Sequence, residues 1–426
     1  MFTISRRISV LTGHLSCRRL WIAASSTDPS LSAATTQCIN TIRTTLSHRT
    51  NTSNTCFVLV SQTYSAADIE TISDTVTRHL DCRVLGTVVD HIITSNGSNA
   101  TGVSMLFHSP EPNESSVPFY VGDEHGRQRL REVAVGRWHN HVTDRFKQHT
   151  QWTHGPISAT RASSHIQLPH ELTSIADPSC VCLILFASDK ETRQVLDILD
   201  SHFPRAAKLG IVGSQTPFLN GRDYTLLGTQ IHANGVVGVA FSTQQCVPRV
   251  AHSGLEAVSN VLRIERCKGN VVLELEQGDA AHLLIAALRK QRGTERVDSR
   301  LFARVTSAQG ESRVFQVTGG NPAKGGIALD TLRDLSPGQN IQFMMQSASE
   351  HRAISTGHTP RVCFGVSSDH GFTCPKVTTQ MFGGVTEGGF SYGTPQPHET
   401  QTDWGSVFTG STECAVPGSS VTLDLD

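Results

Sequence analysis

The sequence predicts a mixed α/β (α+β) protein of two layered domains. The first is expected to be an internal duplication of strand–helix–strand units, and the second to be richer in antiparallel strands. Three observations carry this. Short apolar runs bounded by turn residues alternate with stretches that repeat at helical spacing. Segments 57–107 and 181–241 run through the same order: strand, Ser-containing break, helix, strand with a central glycine, loop, strand ending in Phe. Beyond residue 250 the chain turns to short alternating strands and Gly-Gly pairs.

The elements follow in order. Met1 to Thr27 has no acidic residue but carries Arg6, Arg7, Arg18 and Arg19. Phe2, Ile4, Ile8, Leu11 and Leu15 fall near a helical stripe. An Arg- and Ser-bearing, acid-free start is the pattern of a mitochondrial transit segment, read here as residues 1–22. Residues 31–46 read as a helix, with Ile39, Ile42 and Leu46 on one face. Cys56 to Val60 is a buried strand. Ile69, Ile72, Val76 and Leu80 define an amphipathic helix. Arg83 to Val89 and Val103 to Phe107 are strands. The order returns with the strand Val181–Phe186, a helix carrying Val195, Leu196, Leu199 and Phe203, and the strands Lys208–Gly213 and Val236–Phe241. Gly86 and Gly210 correspond. Pro248 interrupts the chain, so the domains are placed at 23–248 and 249–426.

In the second domain Asn270–Glu276 alternates like a strand, Asp279 caps a helix to Lys290, and further strands are expected at 301–305, 313–317, 327–329 and 341–346. Gly-Gly pairs at 319–320, 325–326, 383–384 and 388–389 read as tight turns.

Composition removes several functions. The 426 residues carry a formal net charge of -1, with 17% charged residues and 20 His. That balance lacks the basic footprint of a general nucleic-acid binder. No apolar run is long enough to span a bilayer. The 11 Cys are scattered and contain no CxxC, so reduced structural thiols are expected.

The chemistry-bearing patterns are weak. Trp138-His-Asn-His141, with His149, His154, His165 and His170 beyond it, matches no zinc-ligand frame and reads as a polar loop with a Trp anchor. Gly319–Gly326 holds Lys324 but lacks the Gly-Lys-Ser/Thr order that aims a lysine and a hydroxyl at phosphate. No helix opens directly after Gly210, so the dinucleotide fingerprint fails. There is no Gly-x-Ser-x-Gly elbow. No catalytic residue, metal or cofactor is expected.

A pocket is expected where loops leave strand ends, at 61–64, 213–218 and 383–389. The candidate ligand-binding residues are Ser61, Tyr64, Ser214, Arg222, Arg361, Glu387 and Gly389. Glu387 suits a ligand ammonium, and Arg222 or Arg361 a carboxylate.

The order of segments resembles the FIST family (F-box and intracellular signal transduction). The matching pieces in the first half are Ala24-Ser-Ser-Thr27, Phe57-Val-Leu-Val-Ser-Gln-Thr-Tyr64, Val84-Leu-Gly-Thr87, Leu209-Gly-Ile-Val-Gly213 and Gly235-Val-Val-Gly-Val-Ala-Phe241. In the second half they are Lys268-Gly-Asn-Val-Val-Leu-Glu-Leu275, Asp334-Leu-Ser-Pro-Gly-Gln-Asn-Ile-Gln-Phe343, Arg361-Val-Cys-Phe-Gly365 and Met381-Phe-Gly-Gly-Val-Thr-Glu-Gly-Gly-Phe390. The resemblance covers residues 23–415 and takes in both the N-terminal and C-terminal FIST parts, with no F-box. It implies a sensory module that binds a small ligand such as an amino acid between its two halves, without catalysis. The alternative it implies is a protein-interaction scaffold, after the substrate-recruiting F-box members. A mitochondrial matrix location is expected from the first residues, with the cytoplasm as the alternative.

Overall fold

The computed structural model describes residues 20–46, 54–94, 98–111, 114, 116–122, 168–175, 181–188, 192–214, 224–233, 235–242, 246–291, 300–331, 333–346, 360–367, 381–395, 408 and 410–425. The chain is a mixed α+β protein whose strands outnumber its helices.

The described elements fall into three passes, each laying down the strands of one sheet; the first two carry helices between those strands. The first pass is β1 (Leu20–Ser26), α1 (Leu31–Leu46), β2 (Thr55–Ser61), α2 (Ala66–Leu80), β3 (Arg83–Val89), the hairpin β4 (His91–Ile93) and β5 (Asn99–Ala100), and β6 (Val103–Ser109). The second is β7 (Ser116–Val121), α3 (His170–Thr173), β8 (Val181–Ala187), α4 (Thr192–His202), β9 (Ala207–Val212), the hairpin β10 (Thr225–Leu227) and β11 (Gln230–His232), and β12 (Val236–Ser242). The third opens with β13 (Arg249–His252). A long insertion follows: β14 (Leu255–Ala257), β15 (Leu262–Lys268), β16 (Val271–Leu275), β17 (Gly278–Asp279), α5 (Ala280–Gln291), β18 (Leu301–Thr306), β19 (Ser312–Asn321), β20 (Gly326–Leu329) and β21 (Asn340–Gln346). The pass ends with β22 (Arg361–Val366), β23 (Met381–Thr386), the hairpin β24 (Phe390–Gly393) and β25 (Thr412–Cys414), and β26 (Ser419–Asp424).

The three sheets share one topology. Their orders begin β1-β6-β2-β3, β7-β12-β8-β9 and β13-β26-β22-β23. In each, the last two strands named are parallel and the other pairs antiparallel. Each sheet is then extended by a hairpin from another pass. Strand β3 takes β10–β11 from the second, β9 takes β24–β25 from the third, and β23 takes β4–β5 from the first. The exchange is cyclic, and its pairings join residues on either side of position 248.

Burial explains the layers. Helix α1 turns Leu31, Ala34, Cys38 and Ile42 inward, and α2 turns Ile69, Ile72, Val76 and Leu80 inward; both cover one face of the first sheet. Ser65 caps α2 by accepting from the Asp68 N–H at 3.2 Å. Helices α3 and α4 cover the second sheet in the same way. The inner faces of all three sheets meet in one core, where Phe57, Phe186, Phe364 and Phe382 form a closed circuit of ring contacts at 6.0–6.4 Å. In the insertion, β15, β16, β20, β19, β18 and β21 close into a six-stranded antiparallel barrel, because β21 pairs both β15 and β18. The barrel has its own core, capped by Ala280, Ala281 and Leu284 of α5.

Two local readings change. Gly383 and Gly384, expected in a turn, lie inside β23, and Gly319 and Gly320 inside β19. In β23 the neighbours come too close for a side chain: a Cβ on Gly383 would sit 2.6 Å from the Cys363 carbonyl oxygen. Leu20 to Ile22, placed in the leader, open β1, with Trp21 6% and Ile22 1% exposed. Deleting residues 1–19 is therefore expected to leave the melting temperature unchanged. Deleting 1–22 strips Trp21 and Ile22 from the core and should cost about 3 kcal/mol or more; thermal unfolding of the two truncations checks this.

In the third sheet the His252 Nδ1 lies 2.7 Å from the Ser419 hydroxyl. Burial, with the Arg304 charge adding, holds His252 down to about 4 from its ordinary 6.5. The unfolded chain therefore binds a proton that the folded chain refuses. Stability is complete above pH 6.5 and should fall by about 2–3 kcal/mol as pH drops toward 4. His252→Gln is expected to flatten that slope in urea titrations across the range.

The eight described cysteines are free thiols, seven of them buried. Burial pushes Cys38 up to about 12 and Cys414 up to about 11, so neither offers a thiolate at neutral pH. No described helix is long and apolar enough to cross a membrane.

Candidate functional site

The polar chemistry gathers where the chain leaves the parallel strands. Asp90, Ser214 and Glu387 each lie four residues beyond a strand glycine: Gly86, Gly210 and Gly383. Those glycines sit at matching register positions, opposite Val58, Leu185 and Cys363. Gly86 has to be glycine, because a Cβ there would stand 2.0 Å from the Val58 carbonyl oxygen.

The three exits bond to one another through the main chain. The Asp90 N–H donates to the Val385 carbonyl at 3.0 Å, Ser214 N–H to Val88 at 2.9 Å, and Val212 N–H to Gly389 at 3.0 Å. Asp90 is buried and accepts from three donors: the Ser367 hydroxyl (2.7 Å), the Glu387 N–H (2.8 Å) and the Gln62 side-chain amide (3.2 Å).

Beside this junction lies an open cavity of about 680 Å³. Its walls are the end of β1 (Ser25, Ser26), the approach to α1 (Thr27, Asp28), Gln37 of α1, and Thr94, Ser98 and Ala100 of the β4–β5 hairpin. The lining is locally ordered. The Ser26 hydroxyl donates to Gln37 Oε1 at 2.7 Å, and Gln37 Nε2 donates to Asp28 Oδ2 at 3.1 Å. The Ser30 N–H reaches Asp28 Oδ1 at 2.9 Å. A carboxylate has about four lone-pair sites, so Asp28 keeps acceptor capacity for a ligand.

The candidate residues fall into three groups. Ser61 and Tyr64 stand behind the cavity wall. The Ser61 hydroxyl accepts from Gly102 N–H at 2.9 Å, and the Tyr64 hydroxyl donates to the Asp28 carbonyl at 2.5 Å. Burial and the Asp28 charge raise the Tyr64 pKa and keep it a donor. Ser214, Glu387 and Gly389 belong to the exit junction. Ser214 is buried, and its hydroxyl finds no partner among the described residues. Glu387 is exposed. Gly389 adopts φ +89°, and a Cβ there would meet the Cys414 carbonyl oxygen at 2.2 Å, so the turn requires glycine at this position. Arg361 stands apart. It opens β22 opposite Met381, while Glu387 follows the far end of β23, roughly 20 Å along the strands at about 3.3 Å per residue. Its Nε donates to Asp424 Oδ1 at 2.5 Å. Arg222 and the histidines from His139 to His165 lie outside the described residues. Among those described, no three His, Cys, Asp or Glu converge as a metal site.

Asp28, Gln37, Thr94 and Asp90 were not singled out from the sequence. A signal existed for two of them. Asp28 and Ser30 precede a helix as capping residues do, and Asp90 stands at the offset from Gly86 that Ser214 has from Gly210.

The model of the FIST N domain matches residues 56–277. This is more than half of the chain. The protein belongs to the FIST family. The match runs from β2 to just beyond β16, so the FIST N segment spans the parallel pairs of the first two sheets and the entry to the barrel. FIST domains are sensory modules of signal transduction. The pieces from Asp334 onward lie beyond the matched FIST segment and rest on sequence resemblance alone. A comparison with curated proteins finds no match.

Proposed function

We propose that this FIST protein is a non-catalytic sensory module that takes a small polar ligand, an amino acid or related amine, in the cavity between β1, α1 and the β4–β5 hairpin. One observation carries the reading: an open cavity lined by Ser26, Asp28, Gln37, Thr94 and Ser98 lies where the end of β1, α1 and the β4–β5 hairpin meet. In the second sheet Tyr120 of β7 stacks on His232 of the β10–β11 hairpin, with ring centroids 4.0 Å apart. In the third, His252 at the end of β13 contacts Ser419, and the Ser253 hydroxyl donates to the Gly418 carbonyl at 2.9 Å. The open cavity has the size of a ligand pocket. Its hydroxyls, its amide and Asp28 suit a hydrogen-bonding ligand with an ammonium group.

A thermal-shift panel of the proteinogenic amino acids and simple amines at millimolar concentration tests this. A ligand present at about 100 times its Kd should add about 2.7 kcal/mol of stability. Asp28→Asn should abolish that shift while leaving the unliganded melting temperature nearly unchanged. A flat response across the panel overturns the proposal. The acid-free residues 1–19 are read as a mitochondrial address that ends before β1, and diffuse cytosolic signal from a reporter fused to them would remove that part.

A further inference from the structure

The β4–β5 hairpin belongs to two places at once. On one side Thr94, Ser98 and Ala100 line the cavity. On the other, β4 is a strand of the third sheet, with Ile92 opposite Gly384 and His91 opposite Val385. We propose that this hairpin is a conformational relay that carries the state of the first-sheet cavity to β23 and the Glu387 turn, with Asp90 as the positioning residue at its root. The relay rests on the cavity being the ligand site.

Three features make the hairpin a single moving part. Its root is latched, because Asp90 bonds through its N–H to Val385 and through its carboxylate to Ser367, Glu387 and Gln62. Hydrogen bonds to a carboxylate are the strong kind and lose their energy steeply with misalignment. Its far end is held by Ser61, which takes the Gly102 N–H and donates to the Ala100 carbonyl at 3.4 Å. Its underside meets the third sheet directly, at a glycine of β23 and the side chains beside it. A Cβ on Gly383 would come 3.1 Å from Ile93 Cδ1, and Ile93 packs with Cys363, Met381 and Val385. No side chain of β23 cushions that contact at Gly383, so displacement of the hairpin displaces the strand.

A ligand shifts an equilibrium only by binding one arrangement better than another. The hairpin is the cavity wall that also belongs to a second sheet, whereas Ser25 to Asp28 and Gln37 belong to the first pass alone. The path leads onward. Gly389 accepts from Val212, and β24 pairs β9, so a change at the Glu387 turn reaches the second sheet.

Hydrogen exchange on the full chain tests the relay in both directions. Ser367→Ala removes one Asp90 bond from the third pass and touches no cavity residue. It should speed exchange several-fold in peptides covering 91–102 as well as 381–388, with α1 and the barrel unchanged. Thr94→Ala, at the cavity wall, should in turn speed exchange in 381–388. Change confined to the mutated side in either variant overturns the relay. If Ser367→Ala fails to fold, Gln62→Ala gives the same reading from the other Asp90 oxygen. A flat ligand panel together with reciprocal exchange effects would sink the cavity as ligand site and leave the mechanical coupling standing. A ligand response without reciprocity would do the opposite.

Discussion

Asp200→Ala is expected to cost about 3–5 kcal/mol, the range for removing one partner of a buried ion pair. Asp200, on α4, holds the Lys208 ammonium at 3.1 Å, and the two side chains are 6% and 2% exposed. Lys208 also donates to the Phe203 carbonyl at 2.7 Å and the Ala206 carbonyl at 3.3 Å. Burial lowers the Lys208 pKa, and the neighbouring Asp200 charge works against that fall. Without Asp200 an ammonium is left inside the protein with carbonyls alone. The same carboxylate takes the Ser411 N–H at 2.6 Å and hydroxyl at 2.7 Å, and lies 3.7 Å from Arg333. Nearby, Arg313 of β19 donates to Thr412 at 2.6 Å and to the Phe408 and Gly410 carbonyls. The network therefore ties α4, the barrel and the segment entering β25 together. Urea denaturation is the measurement. Adding Lys208→Met to Asp200→Ala should recover part of the loss, since no charge of the pair then remains buried. A single-variant cost below about 1 kcal/mol would show that the pair is solvated and would defeat the argument.

Phe57→Ala is expected to cost about 3–5 kcal/mol and to lower the unfolding of all three sheets together. Phe57 is fully buried, and its ring contacts Phe186 of the second sheet at 6.0 Å and Phe382 of the third at 6.3 Å. The cavity it leaves opens onto the core that the three sheets share. If residues 23–248 and 249–426 unfolded independently, the variant would lower one of two transitions. A cyclic exchange of hairpins predicts one. Hydrogen exchange in denaturant, read separately in β2, β8 and β22, distinguishes the outcomes; loss of protection in β2 alone would refute the prediction.

Much of the fold was legible because its signals are local. Ile69, Ile72, Val76 and Leu80 recur at helical spacing whatever they pack against, and α2 forms where they predict it. The apolar runs at 56–60 and 181–186 are strands because both of their faces are covered. Strand β1 was obscured by the arginines before it, and β7 by Pro118 within it. Pro118 is tolerated because β7 is an edge strand. The Gly-Gly at 383–384 misled because glycine marks both turns and close backbone approach. Only the neighbour across the sheet, the Cys363 carbonyl, distinguishes the two.

The candidate site was legible in part. Ser61, Tyr64, Ser214 and Glu387 were expected at strand exits, and the chain does leave its strands there. Asp28 and Asp90 were missed because a lone aspartate in a loop looks alike whether it faces solvent or receives three donors. Arg361 was expected to meet a ligand carboxylate, and the carboxylate it meets is Asp424, 63 residues away.

By itself the sequence determined most of the helices and buried strands, the mixed α+β class, the strand-rich second half and the family. The tertiary structure decided that each sheet is completed by a hairpin from another pass, and that the second half carries both a closed barrel and a third sheet. The reason is range. Periodicity and capping act within one or two turns of chain. The contact that roots the β4–β5 hairpin joins Asp90 to Glu387, and bonds across 297 positions leave no local trace.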